Sequence, residues 1–210
     1  ITYDGVAMTK ADSYAGSGAG NIYTAIFYLV NPAFGSNSFA ISQQASGSSG
    51  DVDKWITLIN LTGIDQDSPV RSVAKDTNDG SGTSTGATLT ATTVAGDLVI
   101  DVLGAEINAG TQPTVTVGAG QTADQNLDAG DTTLVVSHEV ATTTSTVMSH
   151  AWSSANVRVR HMALPFKPGR SGDEASVGLD LIAHKTNLVA LVAEDDDHLA
   201  LTSSDGVTWT

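Results

Sequence analysis

The 210-residue chain has no cysteine, so neither a disulfide nor a thiolate metal site can form, and the redox compartment stays open. Basic residues are scarce as well. Nine Lys and Arg stand against 23 Asp and Glu, a formal charge of −14, which argues against nucleic acid and anionic membrane as partners because both must be met by a basic face. Long apolar runs are missing too. A stretch such as Ala25 to Val30 is far short of the roughly 20 residues that cross a bilayer, so membrane insertion is not expected. Glutamate is almost absent, with four against 19 Asp. That imbalance suits turns better than helices, since the short Asp side chain bonds its own backbone in tight bends. Aromatics are few: four Phe, four Tyr and three Trp, with Tyr14 the only ring in a long loop. The flat stacking platform of a sugar-binding module is therefore not evident, and most rings read as core.

What remains is a β pattern. Short stretches rich in Val, Ile and Thr recur between clusters of Gly, Ser, Asn and Asp, and no window repeats apolar residues at helical spacing. Expected strands are 1–3, 6–9, 22–30, 38–42, 55–62, 70–74, 87–93, 98–103, 114–117, 132–140, 146–152 and 157–166. Asp4-Gly5 between apolar residues predicts a tight hairpin, because a type I′ turn needs positive φ at both central positions. In the run from Val157 to Leu164, alternation puts Val157, Val159 and His161 on one face and Arg158, Arg160 and Met162 on the other. Stretches 11–21, 43–54, 76–86 and 118–131 read as long surface loops. The expected fold is all-β: an antiparallel, jelly-roll-like β-sandwich over residues 1–168, a linker over 169–176, and a β-rich hairpin appendage over 177–210. Both ends fall within strand-like sequence, which predicts that the chain is a segment of something larger or completes its sheets with neighbours.

Chemical motifs are sparse. Asp76, Asn78 and Asp79 begin like a calcium loop, but the third acidic position is off by one and Ala87 stands where a bidentate Glu is needed. Asp195, Asp196 and Asp197, ahead of His198, form a second candidate for a hard cation, set against a solvated hairpin tip. Asp124, Asp128 and Asp131 form a third acidic stretch with the same weakness. Calcium is thus the only cofactor with candidates, and no other is expected. His138 and His161 fall in expected strands, where an imidazole reads as a partly buried spacer. No nucleophile elbow, phosphate loop or carboxylate motif is present, so no catalytic residues and no enzymatic activity are expected.

Several segments in order resemble a β-sandwich domain that recurs in bacterial extracellular proteins and in tail, fibre and other virion proteins of phages. They are Tyr3 to Thr9, Phe27-Tyr28-Leu29-Val30-Asn31-Pro32, Leu61 to Val70, Ala95 to Val102, Gly118 to Thr122 and Leu164 to Pro168. The resemblance implies a structural virion or surface protein, a phage tail, fibre or capsid-decoration component, that assembles with itself or with other subunits as an oligomer. Its location would be the virion or an extracellular surface. In such domains one or two strands precede the opening hairpin, so the first sheet here is expected to be incomplete. The alternatives are an adhesin module binding a glycan or host surface, and an accessory domain of a larger glycoside-processing protein. The latter comes from residues 188–209, which resemble one Asp-box hairpin of a sialidase-type propeller, ending in Ser204-Asp205-Gly206-Val207-Thr208-Trp209. That box is structural and carries no glycosidase chemistry.

Overall fold

The computed structural model describes residues 1–15, 23–41, 55–76, 85–107, 114–129, 132–153, 157–169, 186–194 and 200–202. Within them the chain is all-β and contains no helix. The strands in order are β1 (Thr2–Tyr3), β2 (Val6–Ala7), β3 (Thr9–Ala15), β4 (Tyr23–Val30), β5 (Ser38–Ala40), β6 (Trp55–Thr62), β7 (Ala74–Lys75) and β8 (Gly86–Thr92). They continue with β9 (Leu98–Ile107), β10 (Val115–Val117), β11 (Thr122–Ala129), β12 (Thr132–Val140), β13 (Ser145–Trp152), β14 (Val157–Phe166), β15 (Thr186–Glu194) and β16 (Ala200–Thr202).

They form four antiparallel sheets ordered β16-β5-β1-β2, β3-β4-β15-β6, β11-β12-β9-β14-β7 and β10-β13-β8. The five-stranded sheet lies between two others, and side-chain parity shows how. On one face Ile100, Val102, Leu134, Val136, Met162, Leu164 and Phe166 meet Ile26 of β4 and Leu61 of β6. On the other face Leu103, Ala105, Val135 and Val159 meet Ala87, Val115 and Trp152 of the three-stranded sheet. Beyond the β3-β4-β15-β6 sheet, Tyr3, Met8, Phe39 and Ile41 pack against Phe27, Leu29, Ile56 and Leu58 as a further layer. Each large apolar side chain buried in these seams contributes on the order of 1.5–3 kcal/mol by leaving water.

This layering keeps the expected alternation of β14 and covers both of its faces. Arg160 and Met162 do not face solvent. They are buried at 3% and 0% exposure while Val159 and His161 are buried on the opposite face, because β14 belongs to a sheet covered on both sides. The Asp4-Gly5 hairpin forms as expected, with φ of 49° and 73° and Tyr3 paired to Val6. Two stretches expected as loops are strands. β3 runs on to Ala15 and β11 spans Thr122–Ala129. Both are edge strands carrying a register shift, between Lys10 and Asp12 and between Ala123 and Gln125. Polar side chains and bulges are how sheet edges avoid unwanted pairing, and they erase the apolar alternation that marks inner strands. Within the expected C-terminal appendage, β15 pairs in register with β4 through Asn187↔Val30 to Glu194↔Tyr23 and with β6 through Thr186↔Thr62 to Ala193↔Trp55.

Candidate functional site

The most concentrated polar chemistry lies in the seam between the five- and three-stranded sheets. Asp101 sits in the middle of β9, facing the three-stranded sheet with Val99 and Leu103, and is fully buried. Ser137 stands directly opposite it on β12 and donates its hydroxyl to Asp101 Oδ1. From β14, His161 Nε2 lies 2.8 Å from Asp101 Oδ2, and from β13 in the facing sheet His150 Nε2 lies 2.7 Å from the same oxygen. The two rings meet edge to face with centroids 4.9 Å apart. A carboxylate buried here must be met by donors, so each imidazole carries its proton on Nε2. The Nδ1 atoms of both rings are buried and have no hydrogen-bond partner among the described residues.

The cluster extends to the turn between β10 and β11. Gln121 donates Nε2–H to Ser137 Oγ at 2.8 Å, and its Oε1 accepts the Ser149 backbone N–H at 2.7 Å. Gly120, at φ 91°, makes this turn possible, and the Gly118 N–H donates to the Ser149 carbonyl at 2.8 Å. A chain of donors thus runs from a surface turn to a core carboxylate and fastens β13 to β12. Burial pushes the Asp101 carboxyl up, but the hydrogen bonds from His150 and His161, with the charge those rings can carry, hold it down at about 2.

Outside this seam, Asp97 is buried and accepts the Arg71 guanidinium in a two-pronged pair, with Nη2 at 2.9 Å from Oδ1, while also capping the Val94 N–H at 2.7 Å. Arg71 and Lys167, with Val70, Ser72 and Thr92, line a shallow recess of about 480 Å³. Lys167 Nζ is bonded to Ser68 Oγ at 2.7 Å.

The acidic candidates fare differently. Asp76 follows β7, and its backbone N–H donates to the His161 carbonyl at 3.0 Å. Asn78, Asp79, Asp195, Asp196, Asp197 and Asp131 lie outside the described residues. Asp124 and Asp128 are on β11, not in a loop, and Asp124 pairs with His138 Nδ1 at 2.8 Å. His161, expected as a spacer, belongs to the Asp101 cluster. His150 and Asp101 were not singled out by the sequence reading, although each carried a signal. His150 alternates with Met148 and Trp152 on the inward face of β13, and Asp101 interrupts the apolar run Leu98-Val99-Ile100-Asp101-Val102-Leu103.

Comparison with protein-family models, with curated proteins and with solved structures returns no match to the chain.

Proposed function

We propose that the chain is a non-enzymatic structural protein of a virion or cell surface, of the kind that forms phage tails, fibres or capsid decorations, and that it acts by assembling with copies of itself or with neighbouring subunits. The observation that carries this reading is the exposed face of the three-stranded sheet. Thr88, Thr90 and Thr92 on β8, with Ser145, Val147 and Ala151 on β13, point outward and include no charged side chain, and Val147 is 51% exposed. On a chain of charge −14, this neutral and regularly spaced face is where a second acidic subunit can pack without like-charge repulsion. Two further features support it. β15 completes the β3-β4-β15-β6 sheet from far along the chain, so remote segments already join by backbone pairing, the mode by which subunits share strands. The Asp101 cluster is sealed between layers, which suits a role in holding the protein together more than a role in turning over a substrate.

The test is light scattering across concentration for the protein and for Thr90→Asp and Val147→Glu variants. We expect an oligomer that dissociates in the variants. A monomer at every concentration up to about 1 mM, where even weak specific contacts are populated, would sink the assembly reading. Glycan-array hits from such a monomer would favour an adhesin.

A further inference from the structure

We propose that Asp101, His150 and His161 form a structural site for one divalent late first-row metal ion, with Zn²⁺ as the natural occupant. Their ligand-type atoms all lie within 4.8 Å of one another, and all three residues are buried. Two imidazole nitrogens and one carboxylate oxygen suit zinc and its neighbours. Calcium and magnesium prefer oxygen alone, so this is a different chemistry from the acidic stretches.

The charge balance points the same way. Among the described residues, the hydrogen-bond partners of the Asp101 carboxylate are Ser137, His150 and His161, none of them a lysine or arginine. Buried carboxylates are ordinarily paired with a cation or bound to a metal. Here both imidazoles direct Nε2 at the same oxygen, so an ion between them would replace two shared protons with one bridging charge. Tetrahedral zinc, with bonds of about 2.0–2.1 Å, sets its ligand atoms about 3.3 Å apart. The 2.7 and 2.8 Å contacts would have to open by roughly half an ångström, a shift within the reach of side-chain rotation.

The absence of hydrogen-bond partners at both Nδ1 atoms among the described residues sets the strength. Ligating Nε2 moves each ring proton to Nδ1, where no acceptor orients it, and loss of such support costs about 10–100-fold in affinity. Binding should therefore be micromolar, weaker than in sites with a complete outer shell. Because the ligands come from β9, β13 and β14, the ion would tie the two sheets together. Three protein donors leave the fourth position of the tetrahedron to a water enclosed with the ion, and closed between the layers the ion would be structural.

The experiment uses the untagged full chain, stripped with chelator and titrated with Zn²⁺ by calorimetry, with Co²⁺ as an optical probe. One equivalent should bind, Co²⁺ should give the intense visible bands of a tetrahedral site, and Zn²⁺ at a hundredfold excess over Kd should raise Tm by about 5–10 °C. His150→Gln and His161→Gln, if folded by circular dichroism, should lose binding, whereas His138→Gln should keep it. Imidazole ¹⁵N resonances of the wild type give the same answer without a variant, with the two buried rings shifting on Zn²⁺ addition. No stoichiometric binding, retention in a folded His161→Gln protein, loss in His138→Gln, or unshifted buried rings would overturn the proposal.

Discussion

His150 and His161 approach from facing sheets, edge to face at 74°, and place both Nε2 atoms on one oxygen of Asp101. Each ring spends its Nε2–H on that carboxylate. Asp101→Asn keeps the shape but removes the charge and turns an NH₂ group toward the donors. We expect a loss of about 3 kcal/mol, in line with breaking one member of a buried charged network. Urea unfolding should show a lower midpoint with an unchanged slope, and a loss below about 0.5 kcal/mol would mean that the seam tolerates the carboxylate without depending on it.

The same carboxyl gives acid sensitivity. In chelated protein its folded pKa is about 2 against 3.8 when unfolded, so the unfolded state takes up the proton first as pH falls. The stabilisation is complete above the unfolded value and fades as pH drops from about 5 toward 2. Its size is about 2 kcal/mol for a shift of this magnitude. Urea midpoints measured from pH 6 to pH 2 should fall more steeply for wild type than for Asp101→Asn. Parallel curves would show that other carboxylates carry the acid response.

Much of the fold was legible because its inner strands obey simple patterns. Asp4-Gly5 specified its turn, and the inner strands β12, β13 and β14 fall within a residue or two of where Val, Ile and Thr clusters place them. The two polar edge strands β3 and β11 were not legible. β11 reads Thr-Ala-Asp-Gln-Asn-Leu-Asp-Ala, and only its pairing with β12 makes it a strand. The layering was hidden for a related reason. Parity says which residues share a face, but a strand covered on both sides shows polar residues on either face when those residues satisfy one another, as Asp101, Ser137 and His161 do. The cluster joins positions up to 60 residues apart, a proximity created by sheet stacking that no local spacing records.

Asp97 should be nearly as sensitive through its partner as through itself. Its carboxylate is fully buried, while Arg71 is 28% exposed and neutralises it through two nitrogens. Arg71→Ala leaves a buried charge with the Val94 N–H and no cation, and should cost about 2–4 kcal/mol. Arg71→Lys should recover less than half of that, because a single ammonium cannot reproduce the fork. Full recovery by lysine would reduce the pair to simple charge attraction. Thermal unfolding of the two variants side by side decides between these outcomes.

Gly86 offers a test of how rigidly β13 holds His150. A Cβ at this position would lie 2.8 Å from the His150 carbonyl oxygen, a backbone atom that cannot rotate aside. Gly86 pairs with Ala151 at the start of β8, so Gly86→Ala must push β13 outward or bend β8. Either movement pulls His150 from Asp101, where the contact is 2.7 Å. We expect a cost of about 1–3 kcal/mol, as for overpacking in a tight interior. Gly5→Ala, where a new Cβ meets nothing within 4 Å, should cost about 1 kcal/mol, from its φ of 73° alone. The two substitutions should also differ in kind: only Gly86→Ala should shift the His150 imidazole resonances, and equal effects on that ring would show that β13 is not the element that sets its position.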